Sequence, residues 1–263
     1  MHSPEGKPTV DNRVRPPQIP DSVRFPAALD PRRGAIGQNL GVRRTRLWIA
    51  GALGLALTAA LVAGPLKKPA LTVHNARCFG WCVNNTGPRL VALGDSMAQG
   101  NSRVDWGIHG NTAWYSYLVC GDGAPASDGA NLGINGATTT EILARVDEAL
   151  AARPDVLVIN GGTNDLARSV PLDRIVANLR TIVERAHGVD TVVIATVPSS
   201  RRVGADDLND EIRALAAERG LPVAEFAPLL GRPGATFDGV HPTATTAAEM
   251  AAEVAAAMGV PTP

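Results

Sequence analysis

The chain has 263 residues, with 25 Lys and Arg balancing 25 Asp and Glu, 45% hydrophobic residues and only 4% aromatic ones. The length suits one domain with appendages, and the hydrophobic share excludes a wholly disordered chain. Zero net charge argues against a protein that coats nucleic acid, and three cysteines are too few for a disulfide-stapled miniature scaffold.

The neutrality is unevenly laid out. Residues 1–46 carry nine Lys and Arg against four acids, which leaves 16 basic and 21 acidic residues in 47–263. This arm is rich in proline, shows no apolar periodicity and is expected to be disordered. A solvated tail is its simplest role; binding to anionic lipid headgroups or to a cytoplasmic partner is the alternative. Residues 47–66, LWIAGALGLALTAALVAGPL, carry no charge. As a helix rising about 1.5 Å per residue they reach about 30 Å, the thickness of a bilayer core. Arg43, Arg44 and Arg46 abut the N-terminal side, and by the positive-inside rule they keep the arm in the cytoplasm. An uncleaved transmembrane anchor is favoured over a cleaved export signal. Thr58, Ala60 and Gly64 offer mediocre cleavage sites, and Pro65 follows the last. Either way residues 67–263 are expected outside the cytoplasm, with 67–88 a linker and 89–263 the folded domain. A disulfide is permitted in that compartment. Cys78 and Cys82, four apart, are candidates for a small bridged loop, which leaves Cys120 over; three free buried thiols are the alternative. The Cys and His spacings match no zinc site.

From Arg89 onward, short apolar runs at 89–93, 129–134, 155–159, 191–197 and 221–226 read as buried strands. Helical periodicity at 111–119, 139–152, 172–187, 205–219 and 243–258 lies between and after them. This alternation predicts a five-stranded parallel sheet with helices on both faces, a three-layer α/β/α sandwich. In such sheets the site lies outside the carboxyl ends of the strands, and four short motifs fall there. Gly94-Asp95-Ser96 follows the first strand and puts a serine at its tip. Gly136, in NLGINGATTT, follows the second, where a backbone N–H can approach a substrate oxygen. NGGTND follows the third and offers the Asn164 side-chain amide. FDGVHPT precedes the closing helix and sets Asp238 three residues before His241. Each alone reads equally well as an ordinary polar turn.

In this order, at successive strand ends, the four motifs closely resemble the SGNH hydrolases, a branch of the GDSL esterase/lipase family. The resemblance covers about residues 89–258. Gly94-Asp95-Ser96 matches the family's first block, with Met97 where the family name has Leu, a volume-conserving change. Gly136 matches the second block's glycine, Gly162-Thr163-Asn164-Asp165 the third block, and Asp238 to His241 the last. The resemblance implies a flavodoxin-like α/β/α fold, in agreement with the alternation. It also implies Ser96 as nucleophile, His241 as its base and Asp238 as the group that orients the base. The Ser96 N–H, Gly136 N–H and Asn164 amide would form an oxyanion hole. Asp95 and Asp165 are expected to hold the strand-end turns rather than take part in the chemistry.

No cofactor or metal is implied. The absence of GxGxxG and GxxxxGK[ST] sets nucleotide binding aside. The expected partners are an ester substrate, with an acylated glycan or lipid of the cell envelope as the candidate class, and a membrane through residues 47–66, without nucleic acid. An O-acyltransferase with the same triad and a silent envelope-binding module are the competing readings. The segment between Met97 and Asn111, with Trp106 and His109, is the expected rim of the cleft. Trp106 or Trp114 would either stack on a sugar or acyl chain or pack against the domain.

Overall fold

The computed structural model describes residues 68–69, 71–72, 77–198 and 203–262. The expected arm at 1–46 and span at 47–66 lie outside them. Among the described residues no helix is long and apolar enough to cross a membrane.

Residues 64–263 form one compact unit. Its strands, in chain order, are β1 (Arg77–Phe79), β2 (Arg89–Gly94), β3 (Ile108–Gly110), β4 (Ser127–Gly133), β5 (Val156–Asn160), β6 (Thr191–Ala195) and β7 (Val223–Ala224). Five of them form one sheet in the order β4-β2-β5-β6-β7, and every neighbouring pair is parallel. These are the five strands expected from the apolar runs. β2 and β5 are buried along nearly their whole length, which is why they read as continuous Val/Leu/Ile runs and not as alternating ones. The sheet order reverses between β2 and β5, and that switch point is where an open α/β sheet leaves a crevice.

The two faces carry separate cores. One buries Trp114, Leu118, Phe226, Met250 and Val254 from helices Trp114–Val119, Phe226–Leu230 and Ala244–Met258. The other buries Ile142, Ile175, Leu179, Ile182, Leu208 and Ile212 from helices Thr139–Leu143, Leu172–Arg185 and Ala205–Arg219. The result is the three-layer sandwich.

Three features differ from the sequence reading. The helix expected over 139–152 is two helices, Thr139–Leu143 and Val146–Ala151. The break falls at Arg145, whose guanidinium turns inward and donates to the Leu132 and Gly94 carbonyls at the ends of β4 and β2. Second, the stretch expected as a linker carries β1, which pairs antiparallel with β3 in a small separate ribbon. Third, the disulfide joins Cys78 to Cys120, with their Cα atoms 6.2 Å apart, and Cys82 is a free buried thiol. Residues 42 apart in sequence are brought together because β1 and the end of helix Trp114–Val119 pack against the same core.

Candidate active site

Strand β2 delivers Ser96. Immediately after Gly94 the chain turns into a single helical turn, Ser96–Gln99, capped by Asp95, whose carboxylate accepts from the Met97 N–H at 3.0 Å. Asp95 is fully buried, and its other partner is the Asn160 side-chain amide at the end of β5, at 2.9 Å. Gly94 has to be glycine, because a Cβ there would collide with the Asn160 side chain and carbonyl. Burial pushes the Asp95 carboxyl up to about 6, against the pull of the Met97 and Asn160 hydrogen bonds. Its Oδ2 is buried without a hydrogen-bond partner among the described residues.

The loop before the last helix delivers His241 and Asp238. Asp238 Oδ1 accepts from the Val240 and His241 backbone N–H groups at 2.9 and 2.8 Å, which winds the loop tightly around the carboxylate. Its Oδ2 lies 2.6 Å from His241 Nδ1, and His241 Nε2 lies 2.9 Å from Ser96 Oγ. Burial works to raise the Asp238 carboxyl. The hydrogen bonds from the His241 ring and the two backbone N–H groups outweigh it and hold the group at about 2. With Nδ1–H directed at a carboxylate, Nε2 is left as an acceptor for the serine hydroxyl. Phe237 stacks on the imidazole, with ring centroids 5.8 Å apart. Thr243 caps the following helix through the Thr246 N–H, fixing where the loop ends.

Gly136 and Asn164 meet in a second cluster. Gly136 lies in the turn after β4 with φ +77°, the left-handed region that favours glycine. Gln99 accepts from the Asn135 N–H at 2.6 Å, and Ile134 N–H donates to the Gly94 carbonyl at 3.2 Å, so the turn is tied to the serine's own elbow. The Asn164 amide donates to the Ala137 carbonyl at 3.0 Å, and Arg168 donates to the Gly136 carbonyl at 3.0 Å. Asp165, fully buried, accepts from the Thr139 N–H and hydroxyl at 2.8 and 2.6 Å, which locks the Asn164 turn to the helix after Gly136. Asp95 and Asp165 therefore both hold turns.

A cleft of about 350 Å³ opens over Ser96 and His241. Gln99, Asn101, Arg103, Thr112 and Asn135 give it polar walls, and Phe237 and Pro242 an apolar side. The lining reaches Asn135 but does not include Gly136 or Asn164. Residues of the segment after Met97 do form part of the rim, but not the two expected. His109 is buried, stacked on Tyr115 and 3.6 Å from Asp128 near the amino end of β4. Trp106 is exposed outside the cleft, and Trp114 is a fully buried core residue. Among the described residues no cluster of His, Cys, Asp or Glu could hold a metal ion.

Sequence reasoning missed Asn160, Arg145, Gln99 and Phe237. Asn160 opens NGGTND and Phe237 opens FDGVHPT, so position was their signal. Arg145 and Gln99 act through carbonyls and turns, which leave no mark on a sequence pattern.

A family model described as GDSL-like Lipase/Acylhydrolase family matches residues 92–249. Among solved structures, an acetyl xylan esterase from Geobacillus stearothermophilus is similar with a TM-score of 0.57 and 21% identity, covering 66% of this chain and 95% of that one. A putative lipolytic protein of the G-D-S-L family from Desulfitobacterium hafniense gives 0.56 and 20%, covering 65% and 99%. A member of the lipolytic G-D-S-L family from Veillonella parvula gives 0.54 and 17%, covering 63% and 95%. At these identities the likeness is one of fold. No curated protein matches the sequence.

Proposed function

The chain belongs to the GDSL-like lipase/acylhydrolase family and is a carboxylic ester hydrolase, and from that premise we propose that it works through an acyl-enzyme on Ser96. The observation that carries this is the continuous relay from Asp238 through His241 to Ser96, at 2.6 and 2.9 Å. In this mechanism His241 Nε2 takes the serine proton as Oγ attacks the ester carbonyl, and then delivers it to the departing alcohol. Water, deprotonated by the same nitrogen, frees the acid and restores the serine. Asp238 keeps the imidazole in the required tautomer and favours the imidazolium that forms. The oxyanion is met by the Ser96 N–H, the Gly136 N–H and the second N–H of the Asn164 amide, whose first is spent on Ala137.

The substrate we propose is a short acyl ester on a polar, sugar-like alcohol of the cell envelope. The polar walls at Gln99, Asn101, Thr112 and Asn135 suit hydroxyl groups, and the sequence offers no long apolar lid of the kind a triglyceride lipase would use. The similarity to an acetyl xylan esterase points the same way. The domain is proposed to act outside the cytoplasm, held by residues 47–66, and its Cys78–Cys120 disulfide is at home in an oxidising compartment.

A fluorophosphonate probe on the full chain tests the mechanism. Wild type should label, and Ser96→Ala and His241→Ala should not. A Ser96→Ala protein that hydrolyses a model ester at the wild-type rate ends this reading. Product analysis with an added glycan acceptor separates hydrolysis from acyl transfer.

A further inference from the structure

The ribbon of β1 and β3 has no place in the chemistry, yet with its turns it carries four of the seven large exposed hydrophobic side chains among the described residues. A short 3-10 turn, Gly80–Cys82, extends β1, and another, Val104–Trp106, leads into β3. The two turns lie back to back, since a Cβ on Gly80 would meet the Gly107 carbonyl at 3.6 Å. Trp81 and Trp106 leave the chain beside this contact and are 63% and 80% exposed; Phe79 and Val104 flank them at 48% and 39%. Scattered exposed apolar residues need no explanation, but two tryptophans on adjoining turns, in a chain only 4% aromatic, form a patch. Asp105 is the only acidic residue in the two turns, and Arg103 directly precedes the second.

The point where the chain enters this domain bears on what the patch would meet. Lys68 is fixed to the domain at two points. Its Nζ donates to the Val83 carbonyl at 2.5 Å, and its N–H donates to the Asp122 carboxylate at 3.2 Å. The apolar stretch ends at Leu66, two residues earlier. Two residues of chain reach at most about 7 Å. If residues 47–66 are the anchor, the chain leaves the bilayer only two residues before Lys68, and Lys68 is bound to Val83, two residues beyond Trp81.

We infer that Phe79, Trp81, Val104 and Trp106 form a docking surface for the bilayer, with the tryptophan rings in the headgroup layer, where amphipathic aromatics settle. This rests on the proposed anchor at 47–66. Its consequence for the enzyme is orientation. Arg103, whose backbone pairs with Ile108 at the base of the Val104–Trp106 turn, also lines the cleft. The docked ribbon would hold the Arg103 side of the cleft near the membrane surface, within reach of acylated glycans rooted there.

The test uses full chain reconstituted in lipid vesicles, as wild type and as the double variant Trp81→Ser/Trp106→Ser. The wild-type minus variant emission isolates the two tryptophans from Trp48 and Trp114. That difference should be blue-shifted and quenched when the lipids carry brominated acyl chains. Unchanged hydrolysis of a small soluble ester shows that the variant is folded. An alkaline carbonate wash separates the two ideas. A chain retained in the membrane whose difference emission is red-shifted and unquenched overturns the docking surface alone, even if those tryptophans then respond to added glycan or to a second copy of the chain. A chain released by the wash overturns the anchor and the docking surface with it.

Discussion

At the scale of single residues, the site keeps two carboxyls with opposite histories. Asp238 is held at about 2 and stays ionised at any pH where an ester hydrolase works. Asp95, one residue before the nucleophile, is raised to about 6. The unfolded carboxyl loses its proton near 3.8 and the folded one near 6, so between those values the folded state binds more protons and stability falls as pH rises. That gap corresponds to about 3 kcal/mol lost by neutral pH. Asp95→Asn keeps the acceptor that Met97 and Asn160 use but cannot ionise. Urea unfolding should show the variant gaining on wild type between pH 4 and pH 6 or so, by an amount of this order; parallel stability curves would show that the buried charge costs nothing. Asn164→Ala should fold and still label with a fluorophosphonate, with kcat lowered about 10²–10³-fold, the usual loss for one oxyanion donor. A rate within a factor of about two of wild type would remove Asn164 from the hole.

At the scale of elements, the strand tips could be read from the sequence because buried parallel strands are short apolar runs bounded by turns, and β2, β5 and β6 are such runs. The Ser96, Asn164 and His241 turns follow from the same pattern, since each chemistry-bearing residue stands just past a strand or just before a helix. What stayed hidden depends on tertiary contacts. Residues 139–152 have helix-forming periodicity throughout, yet the helix breaks because Arg145 is drawn to the carbonyls of Gly94 and Leu132. β1 and β3 are three residues each, too short to show a period. His109, three residues from the exposed Trp106, turns into the core because Tyr115 and Asp128 receive it there. Arg145→Met keeps the bulk and removes the donors, so the variant should lose about 2–4 kcal/mol in urea unfolding, as expected when charged hydrogen bonds are withdrawn from half-buried carbonyls. Esterase activity should fall as well, because Gly94 carries the serine's elbow.

At the scale of the whole molecule, the Cys78–Cys120 disulfide spans 42 residues of chain that contain β2, Ser96 and both turns of the ribbon. In the chain-entropy view such a cross-link stabilises the fold by about 4 kcal/mol. Cys120→Ala should therefore melt well below wild type in a thermal scan, and reducing the wild-type protein should bring the two together. Chain order has another consequence. Ser96 and His241 are 145 residues apart, and at ribosomal speeds of roughly 5–20 residues per second the base is synthesised about 7–30 s after the nucleophile. On the proposed topology the chain crosses the membrane in that order. On that topology the protein would carry an inert serine while still threading, and hydrolysis would begin only after the final loop had arrived on the far side, so an ester on the cytoplasmic side would not meet a complete enzyme.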